Sequence, residues 1–129
     1  MRTVKLDRYI VDEIVMRNGM REAKVQLKNT FRYQVKYPKG DEKHCVGELT
    51  LEIGDADAAS PLYIQVRMRG IFEYTAPDKR KVHVDSFYQL FPYGRVLITN
   101  LCAASCLPPI MFPTPDIQEE NIDVGFHGE

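Results

Sequence analysis

The longest regular feature of the chain is a two-residue alternation between residues 22 and 37. Ala23, Val25, Leu27, Phe31, Tyr33, Val35 and Tyr37 are apolar, and Lys24, Gln26, Lys28, Thr30, Arg32, Gln34 and Lys36 between them are polar. A helix would scatter these two sets around its axis, whereas a strand puts them on opposite faces. The spacing therefore predicts a strand with one dry face and one wet face. Asn29 alone breaks the dry side, and a bend or bulge is expected there. Pro38-Lys39-Gly40-Asp41 reads as a turn.

Two further stretches repeat the pattern. Over residues 46–53, Leu49, Leu51 and Ile53 alternate with Glu48, Thr50 and Glu52. Over residues 62–74, Leu62, Ile64, Val66, Met68, Phe72 and Tyr74 point inward, with Gly70 on the same parity, where it permits close approach. Glu on one wet face and Lys and Arg on the next suit cross-strand ion pairs. Residues 4–16 also read as a strand, with a helix as the competing reading because Leu6, Ile10 and Ile14 sit four apart. Apolar residues fall on both parities there, which predicts a strand covered on both sides or lying at a subunit contact. Asn18-Gly19 is a turn signal, residues 54–60 a loop, and residues 77–81 a charged connector, while residues 83–89 suit a short helix or an irregular approach.

From Leu90 onward the period changes. Leu90, Tyr93, Val96, Leu97, Ile98, Leu101 and Cys102 recur at three- and four-residue spacing. Pro92 suits a first turn, where its missing N–H has no partner to lose, so a helix is expected over residues 91–105. Gly94, Ala103, Ala104 and Ser105 add small residues that let another element come close. Pro108-Pro109 ends the pattern, and Ile110 to Pro115 forms an apolar, uncharged arm. The expected fold class is α+β: a four-stranded antiparallel sheet with one main C-terminal helix packed on one face.

Composition limits function more than it defines it. A chain of 129 residues suits one domain. No run of about eighteen apolar residues suggests a membrane span, and the charged N-terminus lacks a signal-peptide core, so a cytoplasmic location without membrane insertion is expected. All 17 Lys and Arg lie at or before Arg95, while five acids and no base follow it. Residues 118–129 thus read as an acidic tail behind a domain of residues 1–117. The three cysteines make no disulfide framework. Cys102 and Cys106, four apart, are two thiols without further ligands and make no structural zinc site. His44, His83 and His127 are far apart and read as surface residues. No phosphate loop or nucleophile elbow is present, so neither an enzyme nor a cofactor or metal is expected. The basic residues Lys24, Lys28, Arg32, Lys36, Arg67 and Arg69 lack interleaved aromatics, which argues against a nucleic-acid partner. What stands out is aromatic and Met-rich material: Phe72, Tyr74, Phe87 and Tyr88, then Leu107, Ile110, Met111 and Phe112 in the arm. Such side chains repack around varied apolar partners, and these eight are the candidate client-binding residues. For Leu107 to Phe112, burial in a core is an equally open reading.

The residues Gly70-Ile71-Phe72, Leu90-Phe91-Pro92-Tyr93-Gly94-Arg95, Ile98-Thr99, and Pro108-Pro109 with Pro113 and Pro115 resemble, in order and spacing, the C-terminal half of SecB, the bacterial export chaperone. The resemblance covers about residues 62–117. It implies an ATP-independent holdase for unfolded polypeptides, assembled as a dimer of dimers through its main helix. On that helix Tyr93, Gly94, Leu97, Ile98 and Leu101 are the implied interface residues. Where the family carries an acidic patch for the SecA ATPase, this chain has Gln65 with Arg67 and Arg69 beside it, which speaks against SecA as a partner. A chaperone of an antitoxin, or a scaffold for one folded partner, are the alternatives.

Overall fold

The computed structural model describes residues 4–19, 28–54, 62–75, 78–105, 107, 110 and 112–117. Each alternating stretch within them forms a strand: β1 (Val4–Asn18), β2 (Asn29–Lys36), β3 (His44–Ile53) and β4 (Leu62–Tyr74). One helix, α1 (Lys79–Ala104), follows. The strands pair antiparallel in the order β1-β4-β3-β2, and α1 covers one face, as the expected α+β class requires. Residues 22–27 of the predicted second strand, and the tail from 118 to 129, lie outside the described residues. Asn29, the expected irregularity, is where β2 begins, opposite Ile53.

Alternation places the core. Cys45, Leu49, Leu51 and Ile53 of β3 and Leu62, Ile64, Val66, Met68 and Phe72 of β4 are buried. The helix closes over them with Val82, Phe87, Leu90, Phe91, Ile98 and Cys102. Burying one large apolar side chain contributes about 1.5–3 kcal/mol. Four or five of them on α1 match the whole net stability of a typical domain, about 5–15 kcal/mol, so the helix is integral to the fold.

The structure corrects the reading of β1. Its register slips twice, between Leu6 and Arg8 and between Val11 and Glu13. Each slip inserts one extra residue, Asp7 and Asp12, and each reverses the parity. Val4, Leu6, Tyr9, Val11, Ile14 and Met16 consequently all stand opposite inward residues of β4. Most of what looked like apolar groups on two faces is one face interrupted by two bulges.

The helix also differs from expectation. It starts at Lys79, not near Phe91, and absorbs the charged connector. Asp78 caps it, its side chain accepting the Arg80 N–H at 2.9 Å. Pro92 lies inside it. A mid-helix proline gives up a hydrogen bond and crowds the carbonyl four residues back. Here Pro92 and Tyr88 are both exposed, on the side away from the sheet. Among the described residues no helix is long and apolar enough to cross a membrane.

The outer sheet face is ion-paired. Lys36 meets Glu48 at 3.2 Å, Arg32 meets Glu52 at 3.7 Å, Arg67 meets Glu13 at 3.2 Å and Arg69 meets Asp12 at 2.8 Å. Each such exposed pair contributes at most about 1 kcal/mol. Together they neutralise four of the bases that made the strands look basic.

Buried titratable groups set a pH window for stability. Burial pushes the Cys45 thiol up to about 12 from 9.0 and raises the Tyr33 phenol. Burial also lowers His83 below 6.5. The thiol's contribution is complete below pH 9.0 and is lost as pH rises toward 12, because the unfolded chain ionises first. That of His83 is complete above pH 6.5 and is lost as pH falls, because the unfolded chain takes the proton first. Thermal unfolding midpoints should decline on both sides of that interval. In the variant His83→Gln the loss just below pH 6.5 should shrink; an unchanged acid limb would refute the assignment.

Candidate functional site

An aromatic seam runs where β2 meets α1. Phe87 is its centre: its ring lies 5.4 Å from Phe31, 5.3 Å from Tyr33, 5.4 Å from Tyr88 and 5.3 Å from Phe91. Tyr33 is fixed in this seam by a 2.6 Å hydrogen bond to the buried Ser86 hydroxyl, which itself donates to the His83 carbonyl at 3.1 Å. Gly47 gives Tyr33 its room, since a Cβ there would fall on the phenol. Phe31 and Tyr88, each 37% exposed, bring the seam to the surface on either side of the buried Phe87.

The chain beyond α1 turns back along the helix beside this seam. Leu107 N–H bonds to the Cys102 carbonyl at 2.9 Å. Phe112 is buried, 5.7 Å from Phe91. Arg95 donates to the Thr114 hydroxyl at 2.9 Å. The Tyr88 hydroxyl donates to the Pro115 carbonyl at 3.0 Å and accepts the Ile117 N–H at 2.8 Å. Residues 112–117 are thus seated on α1 by one ring and by a few polar contacts.

These contacts divide the candidate client-binding residues. Phe72, Phe87 and Phe112 are buried and hold the core of the single chain. The reason is geometric: Phe72 is on the inner parity of β4, and Phe112 is carried back onto the helix. Tyr74, Leu107 and Ile110 are half-buried against the core, Tyr88 is exposed, and Met111 lies outside the described residues. Phe31, read only as strand alternation, was missed as a surface aromatic. Its place on an edge strand is what exposes it.

A second apolar surface lies on the opposite edge. Tyr93 and Val96 of α1 are 45% and 55% exposed. Tyr93 stacks on Tyr9 of β1 at 4.8 Å, and Ile14 of β1 is also exposed. Of the implied interface residues, Tyr93 stands here and Leu97 and Leu101 are half-buried. Gly94 and Ile98 face the sheet instead: Ile98 is buried, and a Cβ on Gly94 would come within 2.7 Å of Leu51. Gly94 therefore serves close helix–sheet packing within the chain.

Comparison with known proteins agrees with this architecture. No family model matches the chain. It is 28% identical to an uncharacterized protein of Methanocaldococcus jannaschii, over 93% of this chain and 90% of that one. Its fold is similar to that of a SecB-like chaperone of Mycobacterium tuberculosis, solved in complex with a ChAD peptide from the HigA1 antitoxin. The TM-score is 0.69 at 12% identity, covering 88% of each chain. The chain therefore has a SecB-like fold.

Proposed function

We propose that this protein is an ATP-independent holdase that binds unfolded polypeptides. The observation that carries this reading is the aromatic seam, open to solvent at Phe31 and Tyr88, where the Tyr88 hydroxyl already bonds to the backbone of Pro115 and Ile117. A client segment would bury apolar area there that otherwise drives aggregation. Half-buried Tyr74, Leu107 and Ile110 extend the proposed surface. The working form is a homo-oligomer, a dimer of dimers joined through the α1 face of Tyr93, Leu97 and Leu101, in the cytoplasm. Residues 1–117 form the SecB-like domain in this reading and residues 118–129 a tail. The reading includes no cofactor, catalysis or nucleic-acid partner.

One observation favours a narrower client. The SecB-like chaperone of M. tuberculosis was solved with an antitoxin peptide, so an antitoxin segment is a second candidate beside export clients. The outer-face residues Arg67 and Arg69 are paired with Glu13 and Asp12, which argues against an acidic docking surface for SecA there.

Light scattering tests the reading. A chemically unfolded model protein diluted into buffer without ATP should stay in solution when this protein is present at near-stoichiometric amounts. The double variant Phe31→Asp with Tyr88→Asp should need severalfold more protein for the same protection while keeping its circular dichroism. A folded sample that gives no protection would overturn the holdase reading and leave a scaffold for one folded partner.

A further inference from the structure

One end of the outer sheet face gathers a set of groups that the holdase reading does not use. Asp7, His44 and Glu73 come from β1, β3 and β4, and one ligand atom of each lies within 4.8 Å of the others. Glu73 is the central member: it pairs directly with His44 across the β3–β4 ladder and with Lys5 across the β1–β4 ladder. Asp7 reaches the group because it is the extra residue of the first β1 bulge. A bulge re-aims one side chain out of the regular register.

The imidazole is held from behind. His44 Nδ1 lies 2.8 Å from Asp41 Oδ2. Asp41 is itself fixed, its Oδ1 accepting the N–H groups of Lys43 at 2.9 Å and His44 at 3.1 Å. A carboxylate on one ring nitrogen fixes the tautomer and presents the other nitrogen as a lone-pair donor. Histidines that bind metals are commonly supported in this way.

We propose that Asp7, His44 and Glu73 bind a divalent transition-metal ion, Zn2+ being the suitable probe. One imidazole and two carboxylates make a mixed nitrogen and oxygen donor set, which suits zinc better than calcium or magnesium. His44 would bind through Nε2, with Nδ1–H donated to Asp41. The charges match, because two carboxylates brought this close repel each other until a cation sits between them. Lys5 is the neighbouring cation that competes for that role. A bound ion would tie three of the four strands together at the end of the sheet where β1 enters it.

Isothermal titration of Zn2+ into metal-stripped protein tests the site. The wild type should bind one ion per chain. Asp7→Asn, His44→Gln and Glu73→Gln should each weaken binding at least tenfold, by analogy with the loss of any single ligand, and Asp41→Asn should weaken it by about 10–100-fold. His83→Gln should leave it unchanged. Because binding only to the folded state stabilises it, Zn2+ should also raise the wild-type unfolding midpoint and not that of His44→Gln. These positions are exposed or half-buried, so the variants should fold, which circular dichroism would verify. No heat from the wild type would mean that Lys5 alone balances the two acids and would overturn the proposal. Stoichiometric binding that survives in His44→Gln would overturn it as well.

Discussion

Replacing Phe87 with alanine should cost about 3–5 kcal/mol of stability, enough to lower the unfolding midpoint by roughly 10 °C or more. Phe87 is fully buried and lies in ring contact with Phe31, Tyr33, Tyr88 and Phe91. Offset and edge-on aromatic pairs add about 0.5–1.5 kcal/mol beyond their buried area, and this one ring takes part in four of them. The cavity left behind cannot close easily. Tyr33 is pinned by its bond to Ser86, and Phe91 is held between Phe87 and Phe112. Phe31→Ala supplies the control. Its ring touches the same neighbour but is 37% exposed, so its loss should cost clearly less. Chemical denaturation of both variants would decide the matter. A Phe87→Ala protein as stable as the wild type would mean that the seam is loosely packed and that the client surface reaches into the core.

How much of this was legible in the sequence depended on whether a residue's neighbours or its distant partners decide its place. Strands β3 and β4 were legible to within a residue or two, because Leu49, Leu51 and Ile53 and the run from Leu62 to Phe72 keep an unbroken period of two. The face of β1 was not, because Asp7 and Asp12 are inserted into the register, and a bulge leaves no mark in a sequence beyond an apparent change of parity. The start of α1 was hidden by Pro92, which reads as a first-turn residue unless Asp78 is taken as the cap. With that cap, Val82, Ser86, Phe87, Leu90, Phe91, Gly94, Ile98 and Cys102 form one continuous buried stripe. The arm was the least legible part. Whether Phe112 is surface or core depends on Phe91 and on the Tyr88 hydroxyl, neither of which is local to it. The same limit hid the cluster of Asp7, His44 and Glu73, whose members are far apart in the chain and adjacent only in the sheet.

Tyr93→Asp combined with Val96→Asp should convert the proposed oligomer into smaller species while leaving each chain folded. Both side chains are about half exposed in the single chain, and with Tyr9 and Ile14 they line the edge where β1 meets α1. β1 is fifteen residues long, and a strand of that length at a sheet edge is a liability unless something covers it. Its beginning is covered from within: the Gln89 side chain accepts the Leu6 N–H at 2.9 Å and donates to the Val4 carbonyl at 2.8 Å. The helix beyond Arg95 carries no charged residue, so nothing on its outer side opposes burial against a second copy. A stable interface buries at least about 1,000 Å² in total, and two new carboxylates at its centre would be desolvated without partners, at several kcal/mol each. Light scattering coupled to size exclusion should therefore report a wild-type mass that is a multiple of the chain and a lower mass for the double variant. Gly94→Ala is the contrasting case. Its added methyl would press on Leu51 and Met68, so it should lower the unfolding midpoint through the packing of α1 on its own sheet. An unchanged mass in the double variant would place the contact elsewhere, a monomeric wild type would refute the assembly, and either would leave the apolar edge of β1 and α1 as a second surface for clients.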